Sequence, residues 1–99
     1  MGPSERPLIQ LQAGVGQPLL IELQATPSAA LVWSPTVAPG DCTLTQADSV
    51  PDGSGVGGHA LQRFTFVCTS AGQRQLRFEL KRPWESTVRA VQRVDVDVR

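Results

Sequence analysis

Apolar side chains in this chain recur at every second position, in short runs cut by proline and glycine. That period admits half-buried strands and leaves no stretch for an amphipathic helix. Ile9, Leu11 and Ala13 alternate with Gln10 and Gln12 until Gly14-Val15-Gly16-Gln17-Pro18 breaks the run. Leu19, Ile21 and Leu23 alternate with Leu20, Glu22 and Gln24, and Thr26-Pro27-Ser28 turns the chain. Leu31-Val32-Trp33 makes a short apolar strand, and Thr43-Leu44-Thr45 a weaker one. Phe64, Phe66 and Cys68 alternate with Thr65 and Val67; Leu76, Phe78 and Leu80 with Arg77 and Glu79; Val94, Val96 and Val98 with Asp95 and Asp97. About seven strands, A to G in chain order, predict an all-β fold: a two-sheet antiparallel β-sandwich. Its inward set is Ile9, Leu11, Leu19, Ile21, Leu23, Trp33, Phe64, Phe66, Leu76, Phe78, Leu80, Val94, Val96 and Val98.

The chain's 99 residues suffice for one domain, spanning 1–99, with a single modest core. Residues 1–7 carry no alternation and are expected to form a disordered tail. They also lack the basic and apolar regions of a signal peptide. Nine basic residues balance nine acidic ones, so no global field favours nucleic acid or an anionic membrane. No apolar run approaches the ~18 residues of a membrane span. A monomer in a periplasmic or secreted setting is the expectation.

Between strands F and G lies Arg82-Pro83-Trp84. Pro83 fixes its own φ and biases Arg82 away from helical geometry, so the turn is stiff before a partner arrives. An exposed Trp beside an Arg has the composition of a binding hot spot. In a sandwich, alternate connections share an end, so the B–C loop (Thr26 to Ala30), the D–E loop (Pro51 to Gly58) and the F–G loop (Arg82 to Thr87) converge. The segment Ala47 to Gly58, rich in turn formers, is expected as a long mobile loop.

At these loops the chain resembles the chagasin-type inhibitors of papain-like cysteine peptidases. That family has an immunoglobulin-like sandwich with Asn-Pro-Thr-Thr-Gly in B–C, Gly-x-Gly-Gly in D–E and Arg-Pro-Trp or a close variant in F–G. Gly55-Val56-Gly57-Gly58 and Arg82-Pro83-Trp84 match in full and in order, and Trp33 stands where the family has a strand-C aromatic. The resemblance runs from about Leu8 to Val98. The B–C loop departs from the pattern: Thr26-Pro27-Ser28-Ala29-Ala30 keeps only the proline. Ala29 lacks a hydroxyl the family places near the catalytic thiol. Ala30 replaces a glycine, which costs ~1 kcal/mol or more where φ is positive.

The resemblance implies a partner, a papain-like cysteine peptidase, and a set of binding residues. Thr26, Pro27, Ser28, Ala29 and Ala30 would cover the peptidase thiol. Gly55, Val56, Gly57 and Gly58 would let backbone amides approach one side of the cleft. Trp84, with Pro83 stiffening its loop and Arg82 hydrogen-bonding nearby, would pack on the leaving-group side. The alternative is a non-inhibitory immunoglobulin-like binding module whose B–C loop has diverged.

Cys42 and Cys68 fall near the start of strand D and the end of strand E, which face each other if those strands pair. A disulfide is the leading reading and buried free thiols the second. Closing that loop is worth roughly 3.5 kcal/mol in the loop-entropy model. No nucleophile, acid/base or metal constellation accompanies them: His59 is the single histidine, no ligand spacing is present, and no cofactor is implied. The chain does not read as an enzyme.

Overall fold

A computed structural model describes residues 2–26, 29–36, 40–47 and 60–99, together with the backbone of 50–51. Nine strands lie among the described residues: β1 (Ser4–Glu5), β2 (Ile9–Ala13), β3 (Leu19–Ala25), β4 (Val32–Pro35), β5 (Cys42–Gln46), β6 (Val50–Pro51), β7 (Ala60–Cys68), β8 (Gly72–Lys81) and β9 (Ala90–Val98). The seven expected strands are β2, β3, β4, β5, β7, β8 and β9, most of them longer than the alternation alone marks. They form two sheets. One runs β1-β9-β8-β4, with β2 also on β9; the other runs β3-β7-β5, with β6 following β5 along the same edge of β7.

The core fills the space between the sheets. Phe64, Phe66, Phe78, Val94 and Val96 are at most 1% exposed, and Ile21, Leu23, Trp33, Leu76 and Val98 join them. Ile9, Leu11, Leu19 and Leu80 pack against this cluster from its margins, so every residue of the inward set takes part. The Phe64 and Phe78 rings, one from each sheet, meet tilted with centroids 4.9 Å apart, a favourable geometry for aromatic pairs. Cys42 and Cys68 are directly opposed in the β5–β7 ladder and joined as a disulfide. It fastens β5 to β7, the neighbour with which that edge strand is paired.

Three features depart from the sequence reading. The segment expected as a disordered tail is docked over residues 4–7. Ser4 N–H donates to Arg89 O at 3.1 Å, Arg6 N–H to Val91 O at 2.9 Å, and Gln92 Nε2 to Pro7 O at 2.8 Å. Backbone bonds hold this piece, so it needs no apolar alternation and leaves none to read. Both β1 and β2 run parallel to β9, in an otherwise antiparallel ladder. Within the stretch expected as a long loop, Val50–Pro51 pair with Leu61 and Ala60 as β6; positions 48–49 and 52–58 lie outside the described residues.

One polar side chain is built into the core. Gln62 is 2% exposed. Its Oε1 accepts from Trp33 N–H at 2.5 Å, and its Nε2 donates to Trp33 O at 3.2 Å. Strand β4 is the edge of its sheet, and the Gln62 amide satisfies both backbone groups of its central residue. Buried backbone polar groups demand such partners.

Candidate peptidase-binding rim

Registers fix where the loops leave the sandwich. Ala60 pairs with Ala25 on one side and Pro51 on the other, Val32 pairs with Lys81, and Leu80 pairs with Ala90. The ends of β3, β6 and β8 and the starts of β4, β7 and β9 therefore lie at one pole. The B–C, D–E and F–G connections all emerge there, as the alternation of strands predicts. Gly55, Val56, Gly57 and Gly58 lie outside the described residues, as do Pro27, Ser28 and His59; only the roots of the D–E loop are placed.

The B–C loop is a narrow hairpin tip. Thr26 and Leu31 exchange backbone hydrogen bonds at 3.2 Å each way, and Ala29 N–H donates to Thr26 O at 3.0 Å. Ala30 takes φ of +60°, in the left-handed region. That is the conformation the glycine of the resembled motif would accept without cost. Below the tip, Trp33 Nε1 donates to Gln24 O at 2.8 Å, tying β4 to β3 at the loop's base. The Arg6 guanidinium stands 5.6 Å from the centre of the Trp33 ring, within cation–π range.

The F–G tip is a four-residue turn. Glu85 N–H donates to Arg82 O at 3.0 Å, with Pro83 at the second position, where its fixed φ suits such turns. Trp84, at the third position, is 72% exposed. A Trp held out at this level contributes little to the sandwich and is free to bury area elsewhere. Arg82 is tied within the protein. Its Nε donates to Ala29 O at 3.1 Å, and its Nη1 meets Glu85 Oε1 at 3.2 Å. Through these two donors Arg82 joins the F–G tip to the B–C tip, a structural part that the sequence reading did not include.

Glu85 also reaches Arg89, Oε2 to Nη2 at 3.4 Å. Arg89 N–H donates to Leu80 O at 2.7 Å, and Arg89 O accepts from Ser4. Sequence reasoning missed Glu85, Arg89, Ser4 and Gln62. The only trace of the first pair is spacing, since Glu85 stands three residues after Arg82 and four before Arg89, and such spacing says little outside a helix.

The family model for "Chagasin family peptidase inhibitor I42" matches residues 12–98. The chain belongs to the chagasin family of peptidase inhibitors. Its sandwich is similar to the solution structure of Amebosin, at TM-score 0.69 and 19% identity over 99% of this chain and 100% of that one. It is similar as well to the cysteine protease inhibitor EhICP2 from Entamoeba histolytica, at 0.67 and 17% over 99% and 100%. A third likeness is to PbICP-C, at 0.72 and 15% over 99% and 92%. At these identities the likeness is one of fold. No curated protein sequence matches the chain. Chagasin-family membership fits the rim just described: the F–G turn is tied to the B–C loop at one pole and presents a large aromatic outward.

Proposed function

We propose that this chain is a reversible inhibitor of papain-like cysteine peptidases that plugs the active-site cleft with the B–C, D–E and F–G loops. The observation that carries the reading is the F–G tip, whose Trp84 is 72% exposed on a turn locked by its own hydrogen bonds and by Arg82 to the B–C loop. Family membership supports the inhibitory class, as does the similarity to EhICP2, a cysteine protease inhibitor, and to PbICP-C, which was solved in complex with falcipain-2.

A papain-like cleft centres on a thiolate–imidazolium pair that attacks a peptide carbonyl held in line with it. The small side chains Ala29 and Ala30 would offer a low profile over the thiol, at a loop whose ends are closed by the Thr26–Leu31 bridge. Trp84 would bury its indole on apolar surface to one side, while the Gly55 to Gly58 segment would bring backbone amides to the other. The F–G turn, already tied to Ala29, loses little conformational freedom on docking, so a small contact area can still bind tightly. The Cys42–Cys68 disulfide supports a place in an oxidising compartment, periplasmic or extracellular.

Titrating papain with the pure protein tests the reading: activity falls to a plateau at a one-to-one ratio, and unchanged activity at micromolar protein discards it. Trp84→Ala should weaken inhibition by ~2–4 kcal/mol, the hot-spot range, and move folding stability by less than ~0.5 kcal/mol, as for exposed side chains. A loss of inhibition under ~0.5 kcal/mol would show that the indole is no anchor.

A further inference from the structure

We infer that Glu85 is a positioning residue, the brace that holds Trp84 out from the rim. The inference rests on the inhibitory reading for its kinetic consequence, but not for its structural one. Glu85 follows Trp84 directly, and its two carboxylate oxygens serve different arginines. Oε1 meets Arg82 at 3.2 Å and Oε2 meets Arg89 at 3.4 Å. These arginines flank the tip: Arg82 begins the turn, and Arg89 stands just before β9. The Arg89 backbone is fixed on both sides, by Leu80 O and by Ser4 N–H. Arg82 is fixed to the B–C loop through Ala29 O.

The carboxylate therefore spans the mouth of the F–G loop and joins the turn to two anchored points. Its side chain is 29% exposed, against 72% for Trp84 beside it. The tip thus divides its labour, with one side chain folded inward to brace and its neighbour left outward to bind. Without Glu85, both ties from the turn to Arg82 and Arg89 are lost, and the turn keeps only its backbone bond to Arg82 O. Glu85 makes no claim on the peptidase; it acts through Trp84 by reducing the freedom the indole must lose on docking.

Two measurements test this. The first needs no peptidase. In 15N-labelled protein, the heteronuclear NOE of the Trp84 indole and of amides 84 to 86 should fall in Glu85→Ala, while the Trp33 indole, bonded to Gln24 O, stays unchanged as an internal reference. An unchanged Trp84 signal overturns the inference. The second is a double-mutant cycle in papain inhibition. Glu85→Ala should raise Ki about 3- to 10-fold, as expected from two partly exposed ion pairs acting together. In a Trp84→Ala background the same change should shift Ki by less than about 1.5-fold, because nothing remains to position. Equal fold-changes in both backgrounds would mean that Glu85 acts independently of the indole, and would overturn the inference. If the wild-type protein leaves papain untouched, the inhibitory reading fails while the NMR measurement still decides the role of Glu85.

Discussion

Ala30 holds a left-handed backbone at φ of +60°, which makes Ala30→Gly a sharp probe of the B–C tip. An L-residue with a Cβ pays about 1–2 kcal/mol in this region, and glycine removes that penalty. Against the gain stands the extra freedom glycine gives the unfolded chain, about 0.4–1 kcal/mol. The net expectation is a stabilisation of about 0.5–1 kcal/mol. For a domain of this size each kcal/mol moves Tm by about 4–8 °C, so the variant should melt about 2–8 °C higher. Ala30→Val supplies the opposite arm: a β-branched side chain is poorly tolerated at positive φ, and Tm should drop below that of the wild type. Thermal melts followed by circular dichroism, confirmed by urea titration, measure both. An Ala30→Gly protein that melts at or below the wild-type temperature would refute the left-handed assignment and the account of the tip built on it.

Gln62→Leu should destabilise the fold by about 2–6 kcal/mol, since Trp33 N–H and C=O each lose a buried partner at about 1–3 kcal/mol apiece; a urea midpoint within error of the wild type would show that the amide is not needed. Asp41 carries a pH prediction. Its carboxyl is held below the ordinary range by the Ser70 hydroxyl and then by Arg74, whose Nη2 stands 2.7 Å away. A group with a depressed folded-state pKa contributes stability that is fully present above its unfolded value, near 3.8, and is lost as pH falls through the folded one. The stability gap between the wild type and Asp41→Asn should therefore be full at neutral pH and close below the carboxylate range; a gap of constant size across an acid titration would contradict the assignment.

Much of the sandwich is legible in the sequence because burial on one face writes itself as alternation. Phe64-Thr65-Phe66 and Val94-Asp95-Val96 show it directly, and the structure buries the apolar member of each step. The outward Trp84 is legible for a different reason, since it follows a proline in a short turn between two clean strands. What is not legible is held by backbone groups or by polar exceptions. Ser4–Glu5 become a strand only because β9 offers a free edge, and nothing in their side chains announces it. Gln62 sits at an inward position of β7, yet its partner is a backbone 29 residues away, and pattern reading has no term for such distant pairs. Val91 has outward parity and is still 1% exposed. The brace at Glu85 was hidden for another reason: its two arginines are local, but loop spacing fixes no geometry.

The family motif marks the tips in the sequence, and it leaves the structural part played by Arg82 unread. Arg82 reads as a ligand for the target because it neighbours the Trp. In three dimensions its Nε and Nη1 serve Ala29 and Glu85, so the residue builds the rim. Docking should leave its mark on the two joined tips, and amide hydrogen exchange of the one-to-one papain complex reads it most directly. Added protection is expected at Ala29 to Leu31 and at Trp84 to Glu85, with the turn between β2 and β3 at Gly14 to Gly16 unaltered. Protection concentrated at that opposite turn, with the indole-bearing tip exchanging as in the free protein, would contradict it.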